Sequence, residues 1–111
     1  MTATDRPYVL VGDLGDLPPP IERGILSQTI DDSDDVRVVL FSFAQGEELS
    51  EHTAARPAII HIVSGRAELT VGGDPIATGP GTWLRMAART THSVRATTPL
   101  VMLLYLLPAP E

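Results

Sequence analysis

Cysteine is absent from this sequence of 111 residues. Disulfides, thiolate metal sites and cysteine nucleophiles are therefore excluded as sources of stability or chemistry. Any metal that the side chains bind is then expected to be held by imidazole or oxygen.

Lysine is also absent, and the eight basic residues are all arginines scattered along the chain. The formal net charge is −6 at pH 7. Binding to a phosphate backbone needs clustered lysine and arginine side chains. The composition therefore argues against nucleic acid as a partner.

No segment has the pattern of a signal peptide or a membrane span. The N-terminus, MTATDRPY, lacks the basic start and apolar run of a signal peptide. The longest apolar run, LVMLLYLL at 100–107, is far shorter than the roughly 20 residues that a membrane helix requires. We therefore expect a cytoplasmic protein with no membrane partner.

Turn residues are abundant and divide the chain into short segments. Ten prolines and nine glycines are spread throughout, so no long uninterrupted helix is expected. The length predicts a single domain. Within it we distinguish an N-terminal arm with the first strand or strands at 1–35 from a barrel at 36–111.

Most segments between the turns have strand patterns. In RAELTV, for example, Ala67, Leu69 and Val71 alternate with polar residues, as in a half-buried strand. Residues 21–30 fit either a strand or a short helical turn. Many short strands with a turn about every ten positions indicate an all-β sandwich or closed barrel. The expected strands lie at 36–46, 66–71, 82–86, 92–96 and 99–107, with turns at 31–35, 72–75 and 78–81.

The three histidines are the candidates for metal chemistry. His52 follows the short polar stretch GEELSE and is expected to open a strand, and His92 opens another strand after the loop AARTT. Two imidazoles from different strand starts can converge at one mouth of a barrel and bind a metal. A bare pair of histidines is a weak signal, because surface or core histidines are far commoner than ligands.

Glycines and histidines recur at fixed spacing over residues 36–107. Gly46 is followed by five residues and His52, and Gly65 closes this first motif. His92 lies eleven positions after Gly81 in the second. The pattern resembles the two motifs of the cupin family, which implies a jelly-roll barrel, the all-β double-stranded β-helix.

The sequence departs from the cupin motifs at most of the remaining positions. Ala54 and Ala58 occupy the positions of the second histidine and the glutamate in the first motif. In the second motif, Ala87 replaces proline, Arg89 replaces glycine and Ala96 replaces asparagine. A complete cupin site offers three imidazoles and a carboxylate, so the four-ligand enzyme site of the family is not carried over.

The resemblance implies three alternative functions. In the first, His52 and His92 bind a divalent ion (zinc, nickel, manganese, iron or copper), with water or a neighbouring carboxylate completing the shell. Oxygenase- or isomerase-like chemistry on a small organic molecule would then be possible. In the second, the alanines make an apolar pocket, and the barrel is a metal-free sensor or carrier. In the third, the domain is purely structural or binds a partner.

Strand alternation decides how His61 is expected to lie. If Ala58 faces the interior as the family glutamate does, Ile60 and Ile62 do too, and His61 faces outward. A bulge near Pro57 would reverse this and make His61 an additional metal ligand. Outward-facing apolar residues nearby, Ile59 and Val63, are consistent with a homodimer, which many cupins form.

Other residues are candidates for binding a small molecule. Arg85 lies among apolar neighbours in WLRM, and a buried arginine needs a partner, which a ligand carboxylate could supply. Core packing or solvent exposure is the alternative for each. The full set of ligand-binding candidates is Arg85, Trp83, Met86 and Met102, with Arg56 and Arg89 as further possible anion contacts.

Overall fold

A computed structural model of the chain describes residues 7–18 and 21–110. These residues form one short 3-10 helix and nine strands. Within them, no helix is long and apolar enough to cross a membrane. The helix is Leu14–Asp16, and the strands are β1 Ile25–Asp32, β2 Arg37–Phe43, β3 Glu48–His52, β4 Ala58–Ser64, β5 Ala67–Val71, β6 Asp74–Thr78, β7 Trp83–Met86, β8 His92–Ala96 and β9 Leu100–Leu106.

The strands form two antiparallel sheets that face each other. One sheet has five strands in the order β1-β2-β9-β4-β7, and the other has four in the order β3-β8-β5-β6. The chain passes repeatedly from one sheet to the other, because β2 and β4 lie in the first sheet while β3 and β5 lie in the second. This is the expected all-β jelly-roll architecture, and the fold prediction is confirmed.

The core lies between the two sheets, and in β4 and β5 alternate residues supply it. In β4, Ala58, Ile60 and Ile62 are buried, whereas the residues between them are only half-buried. In β5, Ala67 and Leu69 are buried while Glu68 is exposed. Side chains of successive strand residues point to opposite faces, so one face of β4 and of β5 supplies the core, whereas β2 and β9 bury residues on both faces.

Several strand boundaries differ from the sequence-based expectation. β1 runs to Asp32, into the expected turn at 31–35, and β2 ends at Phe43 rather than at residue 46. The polar stretch before His52 is strand β3, so His52 ends a strand rather than opening one. The expected turn at 72–75 shortens to Gly72 and Gly73, because Asp74 already begins β6. Both glycines have positive φ, of 56° and 87°, which is why this tight hairpin requires glycine.

The segment before the barrel packs on the outside of the five-stranded sheet. The 3-10 helix Leu14–Asp16 is capped by the Asp13 side chain, which accepts a hydrogen bond from the Gly15 amide at 2.9 Å, and the helix packs against β4. The sequence of residues 21–30 fits either a strand or a short helical turn. In the structure, residues 25–32 form strand β1, which pairs with β2. The predicted extended arm at 1–20 lies partly outside the described residues.

Candidate metal site

His52 and His92 lie opposite each other on neighbouring strands. β3 pairs with β8 so that the two histidines are direct cross-strand partners. Their ring centroids are 4.2 Å apart, with the ring planes inclined at 60°. His92 is buried, at 7% exposure, whereas His52 is exposed. The pair is therefore a polar contact with one ring in the interior and the other at the surface.

A β-bulge in β3 places His52 at this point. Leu49 pairs with Val94 and His52 pairs with His92, so β3 contains one residue more than β8 over this interval. Without the extra residue, regular pairing would place Glu51 opposite His92 and turn His52 to the other face. Bulges are common beside functional sites, where they redirect a side chain. Here the bulge replaces a carboxylate with a second imidazole.

The backbone fixes the same ring nitrogen in both histidines. Nδ1 of His52 lies 2.7 Å from the carbonyl oxygen of Ser50, and Nδ1 of His92 lies 2.9 Å from that of Thr90. A carbonyl oxygen only accepts hydrogen bonds, so each Nδ1 carries a proton and donates it. In the neutral ring, Nε2 then keeps its lone pair. Metal-binding histidines are typically oriented in this way, with the other nitrogen donating to a carbonyl or carboxylate.

The Nε2 atoms are not enclosed by other polar groups. The bonds from Nδ1 are the only hydrogen bonds that either ring makes within the described residues. In that part of the chain, no fully buried side-chain nitrogen or oxygen lacks a hydrogen-bond partner. Nε2 of His92 must therefore keep some accessible surface, which leaves its lone pair available to an ion or a water molecule.

A small cavity adjoins the two rings between the sheets. Its volume is about 40 Å³. This space exceeds the ~10–15 Å³ that one water molecule needs, but it is far below the ~300–1,000 Å³ of a typical organic-ligand site. Besides the two histidines, its walls are apolar: Phe41, Leu49, Ile60, Val94, Met102 and Leu104.

The donor set is smaller than that of a complete four-ligand metal site. Ala58 is buried in β4, and Ala54 lies in the loop between β3 and β4. Each has a methyl side chain, which offers no donor atom. Among residues 7–18 and 21–110, no three histidine, aspartate or glutamate side chains are grouped so as to hold a metal ion. The residues present fit an ion held by two imidazoles, and they do not fit a three-histidine, one-carboxylate site.

A comparison with protein family models identifies the family of this barrel. The family model described as "Cupin domain" matches residues 39–106. The chain belongs to the cupin family. No curated protein matches the sequence.

Solved structures show how closely this cupin resembles others. A conserved protein of unknown function from Streptococcus pyogenes has a TM-score of 0.82 and 28% identity, over 94% of this chain and 90% of that one. A cupin superfamily protein from Desulfitobacterium hafniense DCB-2 has a TM-score of 0.80 and 30% identity, over 94% and 92%. KdgF from Halomonas sp. has a TM-score of 0.71 and 25% identity, over 80% and 84%. These likenesses extend over 80% to 94% of this chain and name no reaction for it.

Backbone conformation explains several of the cupin motif positions. Gly46, Gly65 and Gly81 all have positive φ, of 85°, 83° and 90°. Arg89, which stands at a motif glycine position, also has a positive φ, of 66°. Only glycine adopts this region without cost. The second motif therefore keeps its backbone path in this cupin although its glycine is lost.

The outer face of the five-stranded sheet holds His61. Its neighbours Ile60 and Ile62 are buried in the core, whereas His61 is half-buried and pairs with Trp83 on one side and Leu103 on the other. The expected outward orientation is confirmed. The register shift in β4 lies beyond Ile62, so it does not reverse His61, and the alternative of His61 as an additional ligand beside His52 and His92 is not supported.

The four ligand-binding candidates separate into two pairs. Met102 lines the small cavity, and Met86 is buried in the core at 3% exposure. Trp83 is 61% exposed and Arg85 is also exposed, because β7 turns Leu84 and Met86 inward instead. The premise that Arg85 is buried is therefore wrong. A ligand could meet Trp83 or Arg85 only on the outer surface.

Arg56 has a structural partner. Its Nε donates to the carbonyl oxygen of Leu107 at 2.6 Å, and its Nη2 donates to that of Leu106 at 2.9 Å. These bonds tie the loop after β3 to the end of β9. The guanidinium of Arg56 is thus occupied by the backbone rather than directed at the cavity.

The charged side chains near the histidines lie at the surface. Glu48 and Glu51 are exposed on β3, and Arg95 of β8 forms an ion pair with Glu68 of β5 across the four-stranded sheet. The hydrogen bond to Glu68 raises the pKa of Arg95. Both partners are more than half exposed, so solvent screens this pair.

A larger cavity lies away from the histidines. Its volume is about 330 Å³, and none of its lining residues is histidine or carries a charge. It opens between the N-terminal segment and the strand ends, beside Gly15, Pro18, Ile21, Ser42, Ser64 and Pro99. Its size suits an organic molecule, but it offers only serine hydroxyls and backbone groups for polar recognition.

Proposed function

We propose that this cupin binds a metal ion through Nε2 of His52 and Nε2 of His92, at the mouth of the barrel. The observation that carries the proposal is the matching pair of Nδ1 hydrogen bonds to Ser50 and Thr90. They orient both rings and leave Nε2 of each ring free, and the two ring centroids are 4.2 Å apart. Water would complete the coordination shell, because Ala54 and Ala58 supply no ligand.

The position of the pair suggests what the ion would do. His52 is exposed, so a small organic molecule could reach the ion from solvent without entering the barrel. The small cavity has no room for such a molecule. When bound, the ion would act as a Lewis acid toward an oxygen or carboxylate of that molecule. The two histidines would orient the ion, and the apolar walls would limit access of water from the barrel side.

Metal analysis of tag-free protein tests the proposal. We expect the isolated protein to carry a metal, or to gain thermal stability from zinc, nickel, manganese, copper or iron salts. His52→Ala and His92→Ala should each abolish the effect, whereas His61→Ala should leave it unchanged. A wild-type protein that carries no metal and gains no stability from any of these ions would refute the proposal.

A metal-free sensor or carrier is the second candidate. The apolar walls of the cavity, formed by Phe41, Leu49, Ile60, Val94, Met102 and Leu104, support it. The cavity would have to widen several-fold to admit an organic ligand. A thermal-shift screen of small organic molecules in the presence of a chelator tests it. Stabilisation that persists in chelator, and in His92→Ala, would favour this candidate over the metal site.

We further propose that the protein forms a homodimer through the outer face of the five-stranded sheet. Ile59 and Val63 are half-buried there, and Trp83 leaves a large apolar surface exposed at the sheet edge. Sedimentation analysis tests the assembly. A wild-type protein that stays monomeric at all concentrations would contradict it.

A further inference from the structure

The wall of the small cavity that faces the histidines contains a third donor atom. Met102 lies on β9 of the five-stranded sheet, while His52 and His92 lie on the four-stranded sheet, and all three line the same cavity. Facing sheets are separated by about 10 Å. An imidazole and a thioether that extend toward each other across this gap can share one ion near its middle.

None of the three donors carries a charge when ready to bind. An imidazole that offers an Nε2 lone pair to an ion is neutral, and a thioether is neutral at any pH. The carboxylates of Glu48 and Glu51 are exposed on β3, and the remaining cavity walls are apolar. On its cavity side, a divalent ion at this pair would meet no compensating charge, and charge that faces apolar surroundings without a partner is costly. A monovalent ion is penalised much less.

Sulfur changes the preference among metals as well. Soft thioether ligands select copper(I), whereas carboxylate and water ligands suit harder divalent ions. The absence of cysteine suggested that only imidazole or oxygen would hold a metal. Met102 removes that restriction, because this sulfur-containing residue lines the cavity from the opposite sheet.

We propose that His52, His92 and Met102 together form a charge-neutral, soft binding site for copper(I). The inference rests on the proposed function, since it uses the same pair of imidazoles. It goes further by naming the ion and its oxidation state and by assigning a third ligand. Met102, which is a core residue with 2% exposure, thereby also acts as a metal ligand.

The test is an anaerobic titration of tag-free protein with copper(I), in competition with a chromophoric copper(I) chelator. Met102→Leu removes the sulfur and conserves the volume. Met86→Leu is the matched control, because Met86 is equally buried but does not line the cavity. X-ray absorption at the copper edge reports separately whether sulfur is among the ligands. Parallel titrations with zinc use the same three proteins.

We expect one copper(I) per wild-type chain, with a sulfur ligand visible in the absorption spectrum. Met102→Leu should weaken copper(I) binding at least tenfold and remove the sulfur signal. Met86→Leu should change neither, and zinc binding should be the same in all three proteins.

The other outcomes distinguish this inference from the proposed function. If copper(I) binds without a sulfur ligand and Met102→Leu has no effect, the inference is overturned and the two-histidine site stands. The same holds if zinc binds at the histidines and copper(I) does not. If neither metal binds the wild-type protein, the proposed function itself is refuted and this inference is refuted with it.

Discussion

Replacement of Gly65 by alanine should destabilise this cupin far more than the same replacement of Gly46. Both glycines have nearly the same positive φ, 83° and 85°. An alanine in this region costs about 1–2 kcal/mol relative to ordinary backbone conformations. This backbone cost is the same at both positions. The difference in stability between the two variants therefore measures the effect of the atoms that surround the new methyl group.

The surroundings of the two glycines differ sharply. A Cβ built on Gly65 would lie 2.0 Å from the carbonyl oxygen of Pro99 and 3.0 Å from Cα of Leu100. Both contacts are backbone atoms, which cannot rotate away as a side chain can. A Cβ on Gly46 would meet nothing within 4 Å. Overpacking of a well-packed region typically costs about 1–3 kcal/mol.

The two terms give a quantitative expectation. Gly46→Ala should lower the free energy of unfolding by about 1–2 kcal/mol, and Gly65→Ala by about 2–5 kcal/mol. Near this chain length, 1 kcal/mol corresponds to roughly 4 °C in Tm. Denaturant unfolding followed by circular dichroism measures both free energies, and thermal scans check them. If the two variants lose equal stability within about 0.5 kcal/mol, the close approach of Gly65 to the Pro99–Leu100 backbone does not constrain this fold.

Three further expectations concern residues outside the proposed metal site. Arg89→Gly should leave the free energy of unfolding unchanged or raise it by up to about 1 kcal/mol, because relief of the positive φ opposes the larger entropy of the unfolded chain. A loss of more than that in urea denaturation would show that the Arg89 side chain stabilises the loop. Arg56→Ala should lower the free energy of unfolding by about 1–3 kcal/mol, since two charge-assisted bonds to the carbonyl oxygens of Leu106 and Leu107 are lost. Arg56→Lys should recover part of this, and an unperturbed alanine variant in the same assay would mean that water replaces the guanidinium. Trp83→Ser should change the stability of the monomer by less than about 0.5 kcal/mol, because the ring is mostly exposed. The same change should weaken dimerisation in sedimentation experiments, and equal self-association of both proteins would exclude this face as the interface.

The strands of the core could be predicted because their sequence alternates clearly. The apolar residues Ala67, Leu69 and Val71 are separated by polar ones, and the structure turns the apolar set toward the other sheet. The motif glycines could be placed for a related reason. Positive φ is a local requirement that limits the choice of residue, so Gly46 and Gly65 mark the same turns in sequence and in structure.

Strand β3 could not be predicted because it is a polar edge strand. It borders β8 on one side only, and Leu49 is its single partly buried apolar residue. Such a sequence is indistinguishable from a solvated loop. The bulge that turns His52 inward depends on pairing with β8, which is a property of the tertiary fold. Arg85 lies in WLRM, where the alternation is visible in the sequence. The alternation does not show which face is buried, because the large apolar Trp83 lies on the exposed face together with Arg85.

Calorimetric titration of the apoprotein with zinc tests most directly whether two imidazoles suffice to hold an ion in this cupin. We expect one binding event per chain for the wild-type protein and for His61→Ala, and none for His92→Ala. Because a protonated imidazole has no lone pair, the affinity should also fall as the solution is acidified. Equal binding by wild type and His92→Ala, or no binding by the wild type, would show that His52 and His92 do not form a metal site.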